Sequence, residues 1–294
     1  MYDVEKLYQP QSIEEALKIL SEDSDAWIIA GGTDVMIKMR HKKMRHVRLM
    51  SIRQIGTLKG VEKLEDGTVT IGPATTFTEL AAEPIIVKEL PMLKTAALSM
   101  GGPQIQNMAT IGGNVCNGAT SADSASSLFA LDAALVLECR DDSRVVPIEE
   151  FYLGPGRTDI KPGEMLTKII IPPRKEGLFG CAYIKFATRK AMDIAILGAA
   201  ATCVLDKEDK HIERATIALG VAAPTPVRCI EAEKLLNGQK LTKELLEQAG
   251  RAALASANPR SSWRASKEYR ECLIEELSAR AFYKAFLEAG GHEL

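Results

Sequence analysis

Two glycine-rich segments contain the residues best suited to binding a charged ligand. The first glycine loop, residues 30–34 (AGGTD), follows the apolar run 27–30, and the second glycine loop is residues 110–114 (TIGGN). A backbone without Cβ atoms can approach a ligand closely and turn its amides toward it, which suits a phosphate anion. Thr33 and Thr110 add hydroxyl groups. The sequence therefore predicts that each loop forms a backbone cradle for phosphate.

Each glycine loop also has a simpler explanation. The first is compatible with a strand-to-helix turn that has Thr33 or Asp34 as the N-cap, and the second with a glycine hinge between two elements. However, the second lies within residues 101–127, which are rich in Gly, Ser, Thr, Asn and Ala and contain almost no large side chains. Ordering so long a stretch costs conformational entropy, and long loops are uncommon unless functional. Two such loops in one chain favour a long, phosphate-containing ligand.

The elements that must position these loops form an irregular mixture of helices and strands, with Pro172 to Gly177 as the best domain boundary. Such an order favours an α+β fold over a regular alternating βαβ fold. The periodicity and turn signals predict helices at 13–22, 76–82, 84–100 (interrupted at Pro91), 229–237, 242–257 and 263–290, and strands at 27–30, 47–52, 60–64, 68–72, 133–140, 145–148, 166–171, 181–187, 196–205 and 213–221.

Composition and missing motifs exclude several classes of protein. A length of 294 residues suits two domains, and a net charge of −2 predicts no nucleic-acid or membrane binding. The chain contains no GxGxxG, GxxxxGK[ST], HExxH or CxxC motif, which argues against a Rossmann domain, a P-loop enzyme and a zinc site. The first twenty residues lack a secretion-signal pattern, so we expect a cytoplasmic protein with free, mostly buried cysteines. The basic run 38–48 is either a solvated face or a surface for phosphate or a partner.

The two glycine loops, together with residues 116–133 (CNGATSADSASSLFALDA), resemble the FAD-binding subunits of molybdenum hydroxylases. Three longer segments resemble the FAD subunits of bacterial xanthine dehydrogenases in particular: 102–124 (GPQIQNMATIGGNVCNGATSADS), 220–229 (GVAAPTPVRC) and 259–270 (PRSSWRASKEYR). The resemblance extends over essentially the whole chain.

This resemblance implies an α+β fold with two domains. Residues 1–174 would form an FAD-binding domain of the PCMH/vanillyl-alcohol-oxidase type, with subdomains at about 1–55 and 56–174. Residues 178–294 would form a C-terminal domain of the CO dehydrogenase flavoprotein type, containing a three-stranded antiparallel sheet and a helix bundle.

The resemblance also implies which residues bind FAD. The first glycine loop would hold the pyrophosphate, the second would hold the other side of the dinucleotide, and Asp123 would contact the flavin. For Asp123, the alternative is an N-cap for a helix starting near Ser126. The full expected set is Trp27, Ile28, Ile29, Ala30, Gly31, Gly32, Thr33, Asp34, Met100, Gly101, Thr110, Ile111, Gly112, Gly113, Asn114, Asp123, Leu166 and Lys185.

Two charged groups beyond the loops have both a functional and an ordinary interpretation. Spacing alone predicts that Lys185 is an exposed strand lysine, whereas beside a flavin its cation would stabilise the anionic reduced ring. Arg189 and Asp193 either shape the mouth of the flavin site or form a surface ion pair. The charged and aromatic segment 263–270 is either a helix packed on its own core or a subunit contact.

The function implied by the resemblance is electron transfer within a complex. The chain would take electrons from a small subunit with two [2Fe-2S] clusters, which serves a molybdopterin-binding large subunit, and pass them from FAD to NAD⁺, in a dimer of heterotrimers. We expect no catalytic residue here, because the sequence offers no acid–base pair. We also expect no metal: some relatives bind an additional four-iron cluster through cysteines in an inserted loop after the second glycine loop, whereas here the cysteine after Cys116 is Cys139. The alternatives are a molybdenum hydroxylase for nicotinate, an aldehyde or carbon monoxide, and a non-redox nucleotide-binding regulatory subunit.

Overall fold

The first glycine loop is attached to a small parallel sheet. The computed structural model describes residues 2–174 and 177–294, so Lys175 and Glu176 of the expected domain boundary lie outside the described residues. Strands β1, β2 and β3 pair in the order β1-β3-β2, and α1 and α2 cover the sheet. Their bounds are β1 Val4–Tyr8, α1 Ile13–Glu22, β2 Trp27–Ile29, α2 Val35–His41 and β3 Val47–Ser51.

The second glycine loop belongs to a layer of helices beside a five-stranded antiparallel sheet of order β4-β5-β10-β6-β7. A capping box at Thr76 and Glu79 starts α3, as the sequence predicts. The bounds are β4 Val61–Lys63, β5 Val69–Ile71, α3 Phe77–Ala82, α4 Pro84–Glu89, α5 Pro91–Ser99, α6 Pro103–Gln106, α7 Ile111–Cys116, α8 Ala125–Ala130, β6 Ala134–Glu138, β7 Ser143–Pro147, α9 Ile148–Phe151, β8 Tyr152–Gly154, β9 Arg157–Thr158 and β10 Met165–Ile171.

The C-terminal part is an antiparallel sheet of order β11-β12-β13-β14 with helices α10, α11 and α12. All nine residues of β12 are buried, because α12 packs on the sheet and α8 of the N-terminal part also contacts β12. The bounds are β11 Leu178–Phe186, β12 Leu197–Leu205, β13 Ile212–Gly220, β14 Val227–Arg228, α10 Ile230–Leu236, α11 Lys243–Ala252 and α12 Lys267–Glu288.

The structure confirms the α+β class and most predicted elements, with several differences. Besides the short elements α6, α7, α9, β8 and β9, it adds β1, α2 and the short fourth strand β14 of the C-terminal sheet. The predicted helix at 242–257 ends at Ala252 and continues as a 3₁₀ turn at Ala253–Ser256. The predicted helix at 263–290 begins only at Lys267, because Ser266 is its N-cap and accepts a hydrogen bond from the Tyr269 amide. Within residues 2–174 and 177–294, no helix is long and apolar enough to cross a membrane.

The two parts share one hydrophobic core. Cys181 and Tyr183 of β11 and Ala200 of β12 belong to the same buried cluster as the residues of α3, α5 and α8. Polar contacts reinforce this joint, since Thr216 of β13 donates to the carbonyl of Ala130 at 2.7 Å. The C-terminal sheet is therefore held firmly against the layer that contains the second glycine loop.

A direct backbone contact holds the two glycine loops together. A Cβ atom added at Gly31 would overlap the carbonyl of Met108, which lies two residues before the second loop. Similarly, a Cβ at Gly112 would overlap Pro73. These two glycines are therefore required because neighbouring backbone fills the space that a side chain would take.

We predict that Gly31→Ala lowers the free energy of unfolding by about 3 kcal/mol, at the upper end of ordinary overpacking, because the added methyl group collides with rigid backbone. Urea unfolding of the purified chain measures the change. Gly56→Ala is the matched control, since an added Cβ there meets nothing within 4 Å. Equal free energies of unfolding for Gly31→Ala and Gly56→Ala would show that the two glycine loops move apart to admit the methyl group without loss of stability.

Candidate functional site

A cleft of about 680 Å³ opens where the two glycine loops meet. This volume is within the range of small-molecule and cofactor sites, which is about 300–1,000 Å³. Thirteen of the expected site residues line it: Trp27, Ile28, Ala30, Gly31, Gly32, Thr33, Asp34, Met100, Thr110, Gly112, Gly113, Asn114 and Leu166.

The other five expected residues lie behind this lining. Ile111 is fully buried in the core, and Ile29 packs with the small cluster under α2. Gly101 has a φ of +50° and turns the chain into α6. Asp123 and Lys185 form an ion pair with each other. The structure therefore places these five next to the cleft wall and not on it.

The first glycine loop turns the chain from β2 into α2. Gly32 has a φ of +74°, a conformation that favours glycine. Asp34 takes the N-cap position of α2, but its carboxylate makes no capping hydrogen bond to the described residues. The loop is thus a strand-to-helix turn, as the simpler explanation proposed, and the Asp34 and Thr33 side chains remain on the cleft wall.

The second glycine loop is the start of α7 and not a hinge. The Thr110 hydroxyl accepts a hydrogen bond from the Gly113 amide at 3.1 Å, which makes Thr110 the N-cap. The Asn114 side-chain carbonyl accepts one from the Ser124 hydroxyl at 2.7 Å. These bonds fix the loop and leave the Thr110 hydroxyl proton and the Asn114 amide protons as donors.

Asp123 does not cap a helix, because Ser124 is the N-cap of α8. One oxygen of its carboxylate accepts a hydrogen bond from the Lys185 ammonium at 2.9 Å, and the other accepts one from the Tyr183 hydroxyl at 3.3 Å. Burial raises the pKa of Asp123, whereas the Lys185 charge and both hydrogen bonds favour its carboxylate form. Removing one partner of such a buried pair costs about 3–5 kcal/mol.

Lys185 is not the exposed strand lysine that its spacing predicts, since only 11% of its side chain is exposed. Besides Asp123, its ammonium donates to the carbonyl of Ser99 at 2.9 Å. Ser99 directly precedes Met100, which lines the cleft. Gln106 supports the same turn by donating to the carbonyls of Leu98 and Met100. Lys185 therefore places a positive charge from the C-terminal sheet directly behind the cleft wall.

Residues 160–166 also line the cleft. Arg144 fixes this segment through hydrogen bonds to Glu164 at 2.7 Å and Asp159 at 2.5 Å. Hydrogen bonding to Glu164 is the main reason that the pKa of the Arg144 guanidinium is raised. Because Glu164 is paired in this way, its negative charge is largely neutralised within the wall.

Lys38, Asn117 and Lys161 also line the cleft, although they are not among the expected FAD-binding residues. Lys38 of α2 donates a hydrogen bond to the Asn117 side chain just beyond α7 and so connects the two loop regions. It belongs to the basic run 38–48, for which a phosphate-facing role was one of two interpretations. Cys116 also lines the cleft, and burial raises the pKa of its thiol to about 12, so it remains neutral.

Arg189 and Asp193 form a surface ion pair, which is one of the two arrangements expected for them. Arg189 contacts Asp193 at 3.5 Å, and 67% of the arginine side chain is exposed. In the same loop, Met192 donates its amide to the carbonyl of Gly101 at 2.7 Å. The loop therefore packs over the turn that follows Met100.

The residues present fit FAD. Two backbone turns with adjacent hydroxyls and the Lys38 cation suit a pyrophosphate, and the apolar wall of Trp27, Ile28 and Leu166 suits aromatic rings. The arrangement matches a dinucleotide better than a single phosphate group, because the polar and apolar parts lie in one continuous cleft.

Comparison with known proteins gives matches over both parts of the chain. Residues 2–174 match the family described as the FAD binding domain in molybdopterin dehydrogenase, and residues 182–285 match the CO dehydrogenase flavoprotein C-terminal domain. The chain is 41% identical to the putative xanthine dehydrogenase FAD-binding subunit of Escherichia coli K12, covering 99% of each chain.

More distant relatives share the same fold. The carbon monoxide dehydrogenase medium chain of Hydrogenophaga pseudoflava is 33% identical, covering 95% of this chain and 96% of that one. A solved structure of carbon monoxide dehydrogenase from this organism superimposes with a TM-score of 0.91 at 30% identity, covering 98% of this chain and 99% of the other. The chain therefore belongs to the FAD-binding subunits of the molybdopterin dehydrogenase family, the molybdenum hydroxylases.

Proposed function

We propose that this chain is the electron-transfer subunit of a xanthine dehydrogenase-like molybdenum hydroxylase and passes electrons from FAD to NAD⁺. The observation that carries the proposal is the single cleft formed by both glycine loops, with the Lys185–Asp123 pair directly behind its wall. The likeness over the full length to the Escherichia coli subunit supports a xanthine-type complex. The family matches to 2–174 and 182–285 support domains at 1–174 and 178–294.

In this proposal, the side chains of the cleft bind and orient the cofactor. The Gly32 and Thr33 amides, the Thr110 hydroxyl and Lys38 hold the pyrophosphate, while Trp27, Ile28, Met100 and Leu166 exclude water from the rings. Lys185 supplies positive charge behind Met100, and Asp123 fixes the position of that charge. When bound, FAD supplies the redox chemistry, accepting single electrons and releasing a pair as hydride.

The electrons come from partner subunits. We propose a small subunit with two [2Fe-2S] clusters and a large molybdopterin-binding subunit, assembled as a dimer of heterotrimers. The names of the relatives support a multi-subunit arrangement, since several of them are medium chains or subunits of dehydrogenases. Those relatives act on different compounds by name, so we assign the choice of substrate to the large subunit.

The purified chain is expected to be yellow with one FAD per chain, and the co-expressed complex is expected to reduce NAD⁺ when given xanthine. Flavin absorbance and NADH formation are the measurements. A colourless chain that fails to take up added FAD would contradict cofactor binding. A yellow complex that oxidises nicotinate, an aldehyde or carbon monoxide but not purines would contradict only the choice of substrate.

We predict that Lys185→Met weakens FAD binding about tenfold, the equivalent of about 1.4 kcal/mol, and makes the flavin reduction potential more negative. The reason is that a positive charge near the ring stabilises the anionic reduced form. Flavin titration gives the affinity, and dye-linked reduction gives the potential. Lys168→Met, at an exposed position of β10, is the control and should leave both values unchanged.

The double variant Lys185→Met/Asp123→Asn separates this effect from the stability of the fold. It removes the carboxylate that the single variant leaves buried without a cation. If Lys185 only balances Asp123, the double variant restores the wild-type potential. If Lys185 acts on the flavin, the reduction potential of the double variant stays more negative than that of the wild type, even when the stability of the fold recovers.

Lys38→Met is expected to weaken FAD binding about tenfold, with a smaller dependence of the affinity on salt, because one cation is lost from the pyrophosphate side of the cleft. Lys42→Met is the matched control, since Lys42 is the exposed C-cap of the same helix and does not line the cleft. Affinities measured at low and high salt test this prediction. An unchanged salt dependence for Lys38→Met would place the pyrophosphate elsewhere.

A further inference from the structure

Arg270, in the first turn of α12, is a buried positive charge without a counter-charge among residues 2–174 and 177–294. Only 3% of the residue is exposed. Its guanidinium donates to the carbonyl of Ile196 and to the hydroxyl of Ser262, both uncharged, and its Nε has no partner among the described residues. The positive end of the helix dipole lies nearby and makes a cation there still less favourable.

Arg264 lies in the tight turn that precedes α12. The Ser262 amide donates to the Ala265 carbonyl at 2.9 Å, and the Arg264 amide donates to the Ser262 hydroxyl at 3.2 Å. The Arg264 guanidinium stacks on the Trp263 ring, with 4.2 Å between the guanidinium carbon and the ring centroid. Its Nε is also buried without a partner in the described part of the chain. The turn therefore brings a second incompletely bonded guanidinium toward Arg270.

The positive charge of this region is not balanced by the part of the chain that the structure describes. Among residues 2–174 and 177–294, the ion pairs include neither Arg264 nor Arg270, nor the nearby Arg260. Burial lowers the pKa of Arg270, and repulsion from Arg260 and Arg264 lowers it further. Burying an unpaired cation is costly. An external negative charge would offset that cost.

An exposed aromatic ring lies beside this charge. Trp263 is 83% exposed, the largest exposed fraction among the exposed large hydrophobic residues. Tryptophan and arginine are the residue types most enriched at the energetic centres of protein interfaces. A small free anion would balance the charge but leave the indole in water, whereas a protein surface would cover both.

Arg260, Trp263, Arg264 and Arg270 form a cluster. The position of this cluster suits a contact between redox subunits. Arg270 binds the carbonyl of Ile196, whose amide donates to the Phe186 carbonyl at 2.7 Å. The Phe186 ring packs against Tyr269 at a centroid distance of 6.3 Å. Phe186 directly follows Lys185, so the cluster lies at the same end of β11 as the charge behind the cleft.

We propose that Arg260 and Arg264, with Trp263, bind a carboxylate on an acidic segment of a partner subunit, and that the buried Arg270 adds its positive charge from behind them. This inference rests on the proposed function, which supplies the partner. A carboxylate accepts two parallel hydrogen bonds from a guanidinium, which explains the use of arginine. The partner residues around it cover the Trp263 ring.

The test compares Arg264→Gln and Trp263→Ala with Arg280→Gln, a control on α12 whose side chain is 64% exposed and paired with Glu276. Each FAD-loaded variant is titrated with the purified partner subunits, and the melting temperature and flavin content of each isolated chain are measured. We expect at least tenfold weaker assembly for Arg264→Gln and Trp263→Ala, no change for Arg280→Gln, and unchanged flavin content throughout. Arg264→Gln should not lower the melting temperature of the isolated chain, because it relieves repulsion.

Three results would overturn the proposal. Assembly of Arg264→Gln with wild-type affinity would show that no partner carboxylate binds there. A melting temperature that falls for Arg264→Gln, with unchanged assembly, would assign the arginine a purely structural role. Phosphate that raises the melting temperature of the wild type but not of Arg264→Gln, again with unchanged assembly, would assign the cluster to a free anion. A wild-type chain that binds FAD but none of the partner subunits would instead contradict the proposed function.

Discussion

The packing of the Gly31 backbone against the Met108 carbonyl is the contact on which the rest of the site depends. It joins a turn of the small parallel sheet to a segment that begins in the helical layer of the five-stranded sheet. Neither sheet alone forms a cleft, because each supplies only one of the two glycine loops. Since no side chain lies between the backbones, the relative position of the loops is fixed by hard contacts and not by adjustable packing.

Further contacts extend this constraint to the C-terminal part. Asn114 of the second loop binds Ser124, whose neighbour Asp123 pairs with Lys185 of β11. Lys185 in turn holds the carbonyl before Met100, which returns to the cleft wall. The C-terminal sheet is thus part of the site, although only the N-terminal part lines the cleft. This explains why its core is continuous with that of α5 and α8.

Local physical chemistry predicted much of the fold and the position of the loops. Three local signals depend only on neighbours in sequence: the apolar spacing of 13–22, the capping-box pattern at Thr76 and Glu79, and Asp66-Gly67 between the strands predicted at 60–64 and 68–72. The structure contains the corresponding helix, capping box and strand pair. The reason for Gly31 was not predictable, since it depends on Met108, which is distant in sequence. The burial of Lys185 was not predictable either. Its alternating strand pattern predicts exposure, but its ammonium binds Asp123 and Ser99, which are distant in sequence. Lys38 was recognisable only as part of a basic run, because its spacing does not show which face meets the cleft.

Lys185 and Arg270 are both largely buried cations, but only Lys185 has a counter-charge among the described residues. Lys185 has a carboxylate from its own chain at 2.9 Å, so its charge is held in place before any ligand arrives, as its proposed role beside the flavin requires. Among the described residues, Arg270 has only neutral acceptors and two further arginines nearby, so no carboxylate there compensates its charge. Because this fold pairs Lys185 with a carboxylate of its own, it would be able to pair Arg270 in the same way. The unbalanced charge at the end of β11 is therefore best explained as half of an interaction whose other half is on a different polypeptide.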